Sequence, residues 1–180
     1  PFNYSKSNNY AVNNYGTGEH IILLNNDIKI ISSNWIEEML MYSQREEIGC
    51  VGAKLYYPDN KIQHAGVILG IYGYAGYSHK YYNYKSTGYY FRLISIQNMS
   101  AVTAACLMIK TKIYKELNGL DEINLEVAFN DVDFCLRELK KRAIEIFSLH
   151  TVKHITTNQY LEVKKILQLK WIDLKKKLNI

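Results

Sequence analysis

The chain has 180 residues, 48% of them hydrophobic, and a formal net charge of +5, which fits one globular domain with its own core. No apolar run approaches the roughly 20 residues of a membrane span, and Cys50, Cys106 and Cys135, odd in number and without a CxxC pair, argue for a reducing compartment and against a disulfide framework or zinc site. The positive charge is local: Lys164, Lys165, Lys170, Lys175, Lys176 and Lys177 against Glu162 and Asp173 leave about +1 for the body, so no nucleic-acid partner is expected.

Residues 1–19 are polar, and Tyr10 to Val12 suggest a short helix that stops near Gly16 and Gly18. The run Ile21-Ile22-Leu23-Leu24 is too short for a helix and suits a strand buried on both faces. It ends in Asn25-Asn26-Asp27, which taken alone reads as a polar turn. Ile28 to Ile31 is β-prone, and a helix should follow with Asn34 as N-cap, Glu37 completing an approximate capping box, and Trp35, Ile36, Met39 and Leu40 as its apolar stripe. Cys50 to Leu55 and Ile62 to Leu69 read as strands. Gly70 to Gly88 is a tyrosine-rich loop, and loops this long inside a domain are more often functional than idle.

Ala101 to Ile109 is a second apolar strand, and Thr111 can cap a helix closed by Asn118-Gly119. Asn130 can cap another helix with Asp131 and Asp133 in its first turn, where the macrodipole favours negative charge. Ile144 to Leu149 alternates as a strand. The basic tail reads as an amphipathic helix carrying Ile166, Leu167, Trp171, Leu174 and Leu178. One domain over residues 1–158 plus a helix over 159–180 is the simplest organisation.

Singly, Asp27, Asp131, Asp133, His64, His79, His150 and His154 each have an ordinary structural explanation. The joint order is more specific: Leu24-Asn25-Asn26-Asp27 after a strand, a Gly-rich middle, Thr103-Ala104-Ala105-Cys106, then Gly119-Leu120-Asp121-Glu122 and Asn130-Asp131-Val132-Asp133. Together with Pro1-Phe2-Asn3-Tyr4-Ser5-Lys6 through Asn9, this pattern resembles the family 2 glycosyltransferases of bacterial surface-polysaccharide synthesis. Leu24 to Asp27 matches that family's variant of the DxD motif, and Asn130-Asp131 its Glu-Asp motif.

The resemblance covers residues 1 to about 154. It implies an α/β GT-A fold, a mixed sheet flanked by helices, and inverting transfer of a sugar from a nucleotide-diphosphate donor to a glycan or other hydroxyl acceptor. Asp27 would hold Mg²⁺ or Mn²⁺, hard cations that take oxygen ligands, with Asn25 beside the ribose or a metal-bound water. His154, or else His150, would be a further ligand. Asp131 would be the base, kept ionised by the helix N-terminus. His64, Gly66, His79, Ala105 and Asp133 fall on the acceptor side.

Two departures stand out. Asn25 replaces the first carboxylate of a full DxD. The family's amino-terminal nucleotide-binding part does not precede the metal motif, so the chain by itself is expected to bind nucleotide sugar weakly or not at all. The alternative function is a non-catalytic remnant or interaction module. The expected location is cytoplasmic, with a further idea that the tail helix touches the inner face of a membrane.

Overall fold

The computed structural model describes residues 2–142 and 145–156. The opening helix α1 spans Tyr4–Tyr15, capped by Asn3, whose side chain accepts the Lys6 N–H at 2.8 Å. It is much longer than the Tyr10–Val12 segment expected from apolar spacing, because polar residues hold it. The buried Asn9 amide oxygen accepts from the Tyr114 hydroxyl (2.7 Å) and the Leu120 N–H (2.9 Å), and its nitrogen donates to the Leu120 carbonyl at 2.8 Å. Satisfied in this way, a buried amide costs little. Gly119 is required beside it: its φ is +64°, and a Cβ there would lie 2.2 Å from Asn9 Oδ1.

In chain order follow β1 (His20–Leu24), β2 (Ile28–Ile30), α2 (Trp35–Ser43), β3 (Ile48–Tyr56), β4 (Ile62–His64), β5 (Val67–Leu69), β6 (Ala75–Tyr77), β7 (Gln97–Asn98), β8 (Cys106–Lys110), α3 (Thr111–Glu116), α4 (Asn130–Arg142) and β9 (Glu145–Thr156). The main sheet runs β1-β8-β3-β9-β2, with β4 added to β3 and β7 to β9. Only β3 and β9 pair in parallel; the other described ladders are antiparallel. The sheet is therefore mixed, as expected. All nine residues of β3 are buried, as befits the strand at its centre.

Helices cover both faces. Val12, Ile113, Tyr114, Val132, Phe134 and Cys135 pack on one side against Leu23, Cys50, Leu107 and Ile109. Met39 packs on the other against Val51, Ala53, Leu55 and Met108. The alternation of Leu107 and Ile109 with Cys106 and Met108 is the pleat of β8 read across two layers. Among the described residues no helix is long and apolar enough to cross a membrane.

Several local expectations change. β1 pairs only with β8 among the described strands, so it lies at an edge, and Leu24 is 42% exposed rather than buried on both faces. Asn34 makes no cap to the α2 backbone; its amide donates instead to Glu38 at 2.8 Å, and of the proposed stripe only Met39 is fully buried. Thr111 does not cap α3 either, since its hydroxyl donates to the Gly18 carbonyl at 2.6 Å. The apolar run Ile62–Leu69 breaks into two strands at Gly66, where φ is +92°. The strand expected from Ala101 begins only at Cys106. The tail helix over 159–180 and the domain boundary at 158 lie outside the described residues.

Candidate active site

The late start of β8 creates the site. Residues 102–105 approach in irregular conformation, and their backbone groups are met by side chains and by the turn after β1. The Asn25 N–H donates to the Ala105 carbonyl at 2.9 Å. One residue earlier, the Ala104 N–H donates to Asp131 Oδ2 at 3.1 Å. The Asn25-Asn26-Asp27 turn and the first turn of α4, a hundred residues apart in sequence, thus grip opposite groups of the same short strip.

Asp131 is half-buried at the start of α4. Its Oδ1 accepts the Val132 N–H at 2.8 Å, and the Thr103 hydroxyl also hydrogen-bonds its carboxyl. Burial pushes this carboxyl above the usual carboxylate range, and the bonds from Ala104, Val132 and Thr103 pull the other way without cancelling it. The helix N-terminus was expected to keep it low. Desolvation outweighs that effect here, which moves the group towards the range of a useful general base. Tyr4 stands beside it, donating its hydroxyl to the Ala104 carbonyl at 2.9 Å. Burial and the nearby Asp131 charge both push the Tyr4 phenol up, so it stays neutral.

His64 serves the strip from behind. It is fully buried, with Nδ1 3.1 Å from the Ala53 carbonyl and Nε2 accepting the Thr103 N–H at 3.2 Å. The two contacts require the neutral ring with its proton on Nδ1. Burial lowers its pKa to about 4. The unfolded chain therefore binds a proton on this ring below about 6.5 while the folded one does not until about 4, so stability falls as pH drops through that window. Replacing His64 with Gln is expected to flatten the unfolding free energy of the protein between pH 6.5 and 4, measured by urea titration. An unchanged slope would count against the neutral ring.

The remaining expected residues divide into two groups. Ala105 is half-buried and holds Asn25 by its carbonyl. Gly66 is buried, and its carbonyl accepts the Ser78 N–H at 2.9 Å; a Cβ there would strike Met99. His79 is half-buried next to it, 2.6 Å from the Ser78 hydroxyl. Asp133, by contrast, is fully buried on the far side of α4, where Oδ2 accepts from Arg137 Nε at 2.8 Å. Arg137 goes on to donate to the carbonyls of Leu117 and Gly119, at 2.6 and 2.8 Å. This ties α4 to the end of α3 and keeps Asp133 away from the strip.

Asn25 and Asp27 are both half-buried at the end of β1 and present one amide and one carboxylate. Such hard oxygen donors suit Mg²⁺ or Mn²⁺. Among the described residues no group of three or more metal-type side chains gathers. His154 lies on β9 opposite Ile30 and beside Leu55, three residues along the ladder from Asp27, or about 10 Å of strand. His150 falls where β9 slips register against β3, between Leu149 and Lys153. The side chains of both histidines lie outside the described residues.

The fold can be compared with known structures. Over 97% of its length the chain superposes on 34% of GalNAc-T7, crystallised with UDP, GalNAc and Mn²⁺, with a TM-score of 0.69 at 10% identity. The chain has a GT-A fold. A second structure, A197 from STIV, matches 86% of the chain and 68% of its own length with a TM-score of 0.50 at 12% identity. In sequence, the GT-A domain is 52% identical over 137 residues to the uncharacterized protein y4gI of Sinorhizobium fredii. It is 34% identical over 140 residues to the O-antigen biosynthesis protein RfbC of Myxococcus xanthus. Each alignment covers 76% of this chain but only 15% and 11% of the respective relative. No protein-family model matches.

Periodicity marks none of three participants: Tyr4 sits in a polar helix, Thr103 in an apolar run, and His64 at the end of β4. His64 entered through the family resemblance alone, and Tyr4 and Thr103 lay in the matching stretches without a role. Their meeting at residues 103–105 supplies one.

Proposed function

We propose that the protein is an inverting glycosyltransferase of surface-polysaccharide synthesis, moving a sugar from a nucleotide-diphosphate donor to a hydroxyl of a glycan acceptor. The observation that carries this reading is the shared strip, Asn25 on the Ala105 carbonyl and Asp131 on the Ala104 N–H. It brings the Asn25–Asp27 turn, proposed to face the diphosphate, to the same strip as Asp131, the carboxylate proposed as base. The acceptor oxygen bonds to the anomeric carbon as the bond to the diphosphate breaks, the electron pair leaves with the nucleotide, and the acceptor proton passes to Asp131. Thr103 and the Ala104 N–H hold that carboxylate in place, Tyr4 holds the Ala104 carbonyl, and His64 holds the Thr103 N–H.

Asp27, with Asn25 and with His154 or His150 in addition, would hold Mg²⁺ or Mn²⁺, which when bound supplies charge neutralisation for the diphosphate leaving group. Gly66, His79 and Ala105 would line the acceptor side. The three free thiols fit a cytoplasmic setting for this chemistry.

The test is transfer from a panel of radiolabelled nucleotide sugars to glycan acceptors with Mn²⁺ present. Transfer is expected to vanish on chelation and to fall at least a hundredfold in Asp27→Ala, with the loss partly offset by raising Mn²⁺. Transfer that survives both treatments would overturn the metal role of Asp27. No transfer from any donor would favour a non-catalytic module instead.

A further inference from the structure

From Asn60 to Lys115 the sequence contains no Asp or Glu. Within that stretch, residues 79–94 fold into a surface dominated by aromatic rings: Tyr89, Tyr90 and Phe91 are 73%, 80% and 64% exposed. Hydrophobic rings this exposed, grouped rather than scattered, mark interaction surfaces. Lys80, Lys85 and Arg92 stand among them. Lys80 Nζ lies 5.5 Å from the Tyr77 ring centroid and 5.3 Å from that of Tyr81, and Lys85 Nζ lies 5.7 Å from that of Tyr84.

The surface is built rather than loose. Tyr81 and Tyr82 are backbone-paired to Ile62 at 2.7 Å each, and the buried Lys54 ammonium donates to the Leu93 carbonyl at 2.8 Å. Gly88 lies close to both Leu93 and His79, where a Cβ would meet Leu93 Cγ at 2.8 Å and His79 Nε2 at 3.2 Å, so the Tyr89–Phe91 turn returns to residue 79. His79, Tyr81, Tyr90 and Phe91 all have φ between +48° and +69°. Aromatic residues rarely adopt that conformation without a surrounding structure to hold them there.

The surface is also continuous with the site. The Tyr77 hydroxyl donates to Thr103 Oγ1 at 3.4 Å, Thr103 bonds Asp131, and Lys80 bridges from Tyr77 to Tyr81. The acid at its margin, Asp59, is paired with Lys61 at 2.7 Å. Rings that stack on the apolar faces of sugars, interleaved with cations in a stretch whose sequence holds no acid, complement a saccharide carrying negative charge.

We propose that residues 79–92 bind the acceptor as an anionic saccharide chain, one bearing carboxylates on successive sugars, laid across the Tyr89–Phe91 turn towards Asp131. This rests on the glycosyltransferase reading and names the acceptor class for it.

The test is calorimetric binding to the protein, without donor, of tetragalacturonate against neutral maltotetraose. Tetragalacturonate is expected to bind at least tenfold more tightly, with an affinity that falls steeply as salt rises. Tyr90→Ala should weaken it about tenfold, and Lys85→Glu about as much, with maltotetraose unaffected by the latter. Both side chains are exposed, so the fold tolerates the changes. Asp131→Asn should leave this binding intact, which separates the failure of the surface from the failure of the transfer chemistry. Equal affinity for the two probes, no binding of tetragalacturonate, or binding of phosphatidylglycerol vesicles through Tyr90 and Lys85 in its place would each overturn the proposal.

Discussion

Asp131→Asn is expected to reduce turnover about a thousandfold, within the range that a positioned general base contributes, while donor affinity changes less than twofold. Asparagine has the same shape and its amide oxygen can still accept the Ala104 N–H, which is 3.1 Å from Asp131 Oδ2 in the native chain. What it loses is the second acceptor, which takes the Val132 N–H at 2.8 Å, and the capacity to receive a proton. The strip at residues 103–105 therefore stays in place while the chemistry stops. Single-turnover kinetics with a pre-bound donor separates the two, and turnover within tenfold of the native value would refute Asp131 as base. The pH profile adds a second readout. Burial raises this carboxyl, so the acid limb of the native rate should sit above the range of an ordinary aspartate, and Asp131→Asn should abolish that limb.

Arg137→Ala is expected to cost about 3–5 kcal/mol of stability, the loss typical when one partner of a buried ion pair is removed and the other charge is left behind. Asp133 is fully buried and would lose the guanidinium whose Nε is 2.8 Å away. The carbonyls of Leu117 and Gly119 would also lose their donors. For a domain of this size the melting temperature should fall by roughly 10 °C. Replacing both members, Asp133→Leu with Arg137→Met, should recover much of that, since an apolar pair of similar volume removes the stranded charge. A fall below about 1 kcal/mol in Arg137→Ala would mean that the pair is not what fastens α4 to the end of α3. Because Asp133 is on the far side of α4 from the strip, the double variant also tests whether this residue touches acceptor at all: retained acceptor affinity would place it wholly in the scaffold.

These two aspartates, two positions apart in the same helical turn, show where sequence reasoning reaches its limit. Motif order singled out both, and helix-dipole logic gave both the same ordinary explanation. Their roles diverge because of direction: Asp131 meets residues 103–104, whereas Asp133 points into the core against Arg137. A two-residue step on a helix turns a side chain by more than half a revolution, so neighbours in sequence face different surroundings.

What the sequence determined by itself was the set of elements with strong local causes. The buried run of β3, the left-handed closure at Asn118-Gly119, the acidic first turn of α4, and the polar stop after Leu24 all follow from side-chain pattern, because each depends on residues within a turn or two of one another. The order of motifs was enough to indicate the GT-A fold. Only the tertiary structure decided the rest. α1 extends beyond its apolar signal because Asn9 finds partners at Tyr114 and Leu120, and β1 lies at the sheet edge because β8 alone pairs with it among the described strands. Residues 102–105 leave the strand pattern because His64, Asp131, Tyr4 and Asn25 take up their backbone groups. Each of those is a hydrogen bond across 27 residues or more, and no local propensity encodes a partner so far along the chain. The segment Asn25-Asn26-Asp27 is a turn by its own chemistry, and the fold sets it beside the strip at residues 103–105, where the proposed site lies.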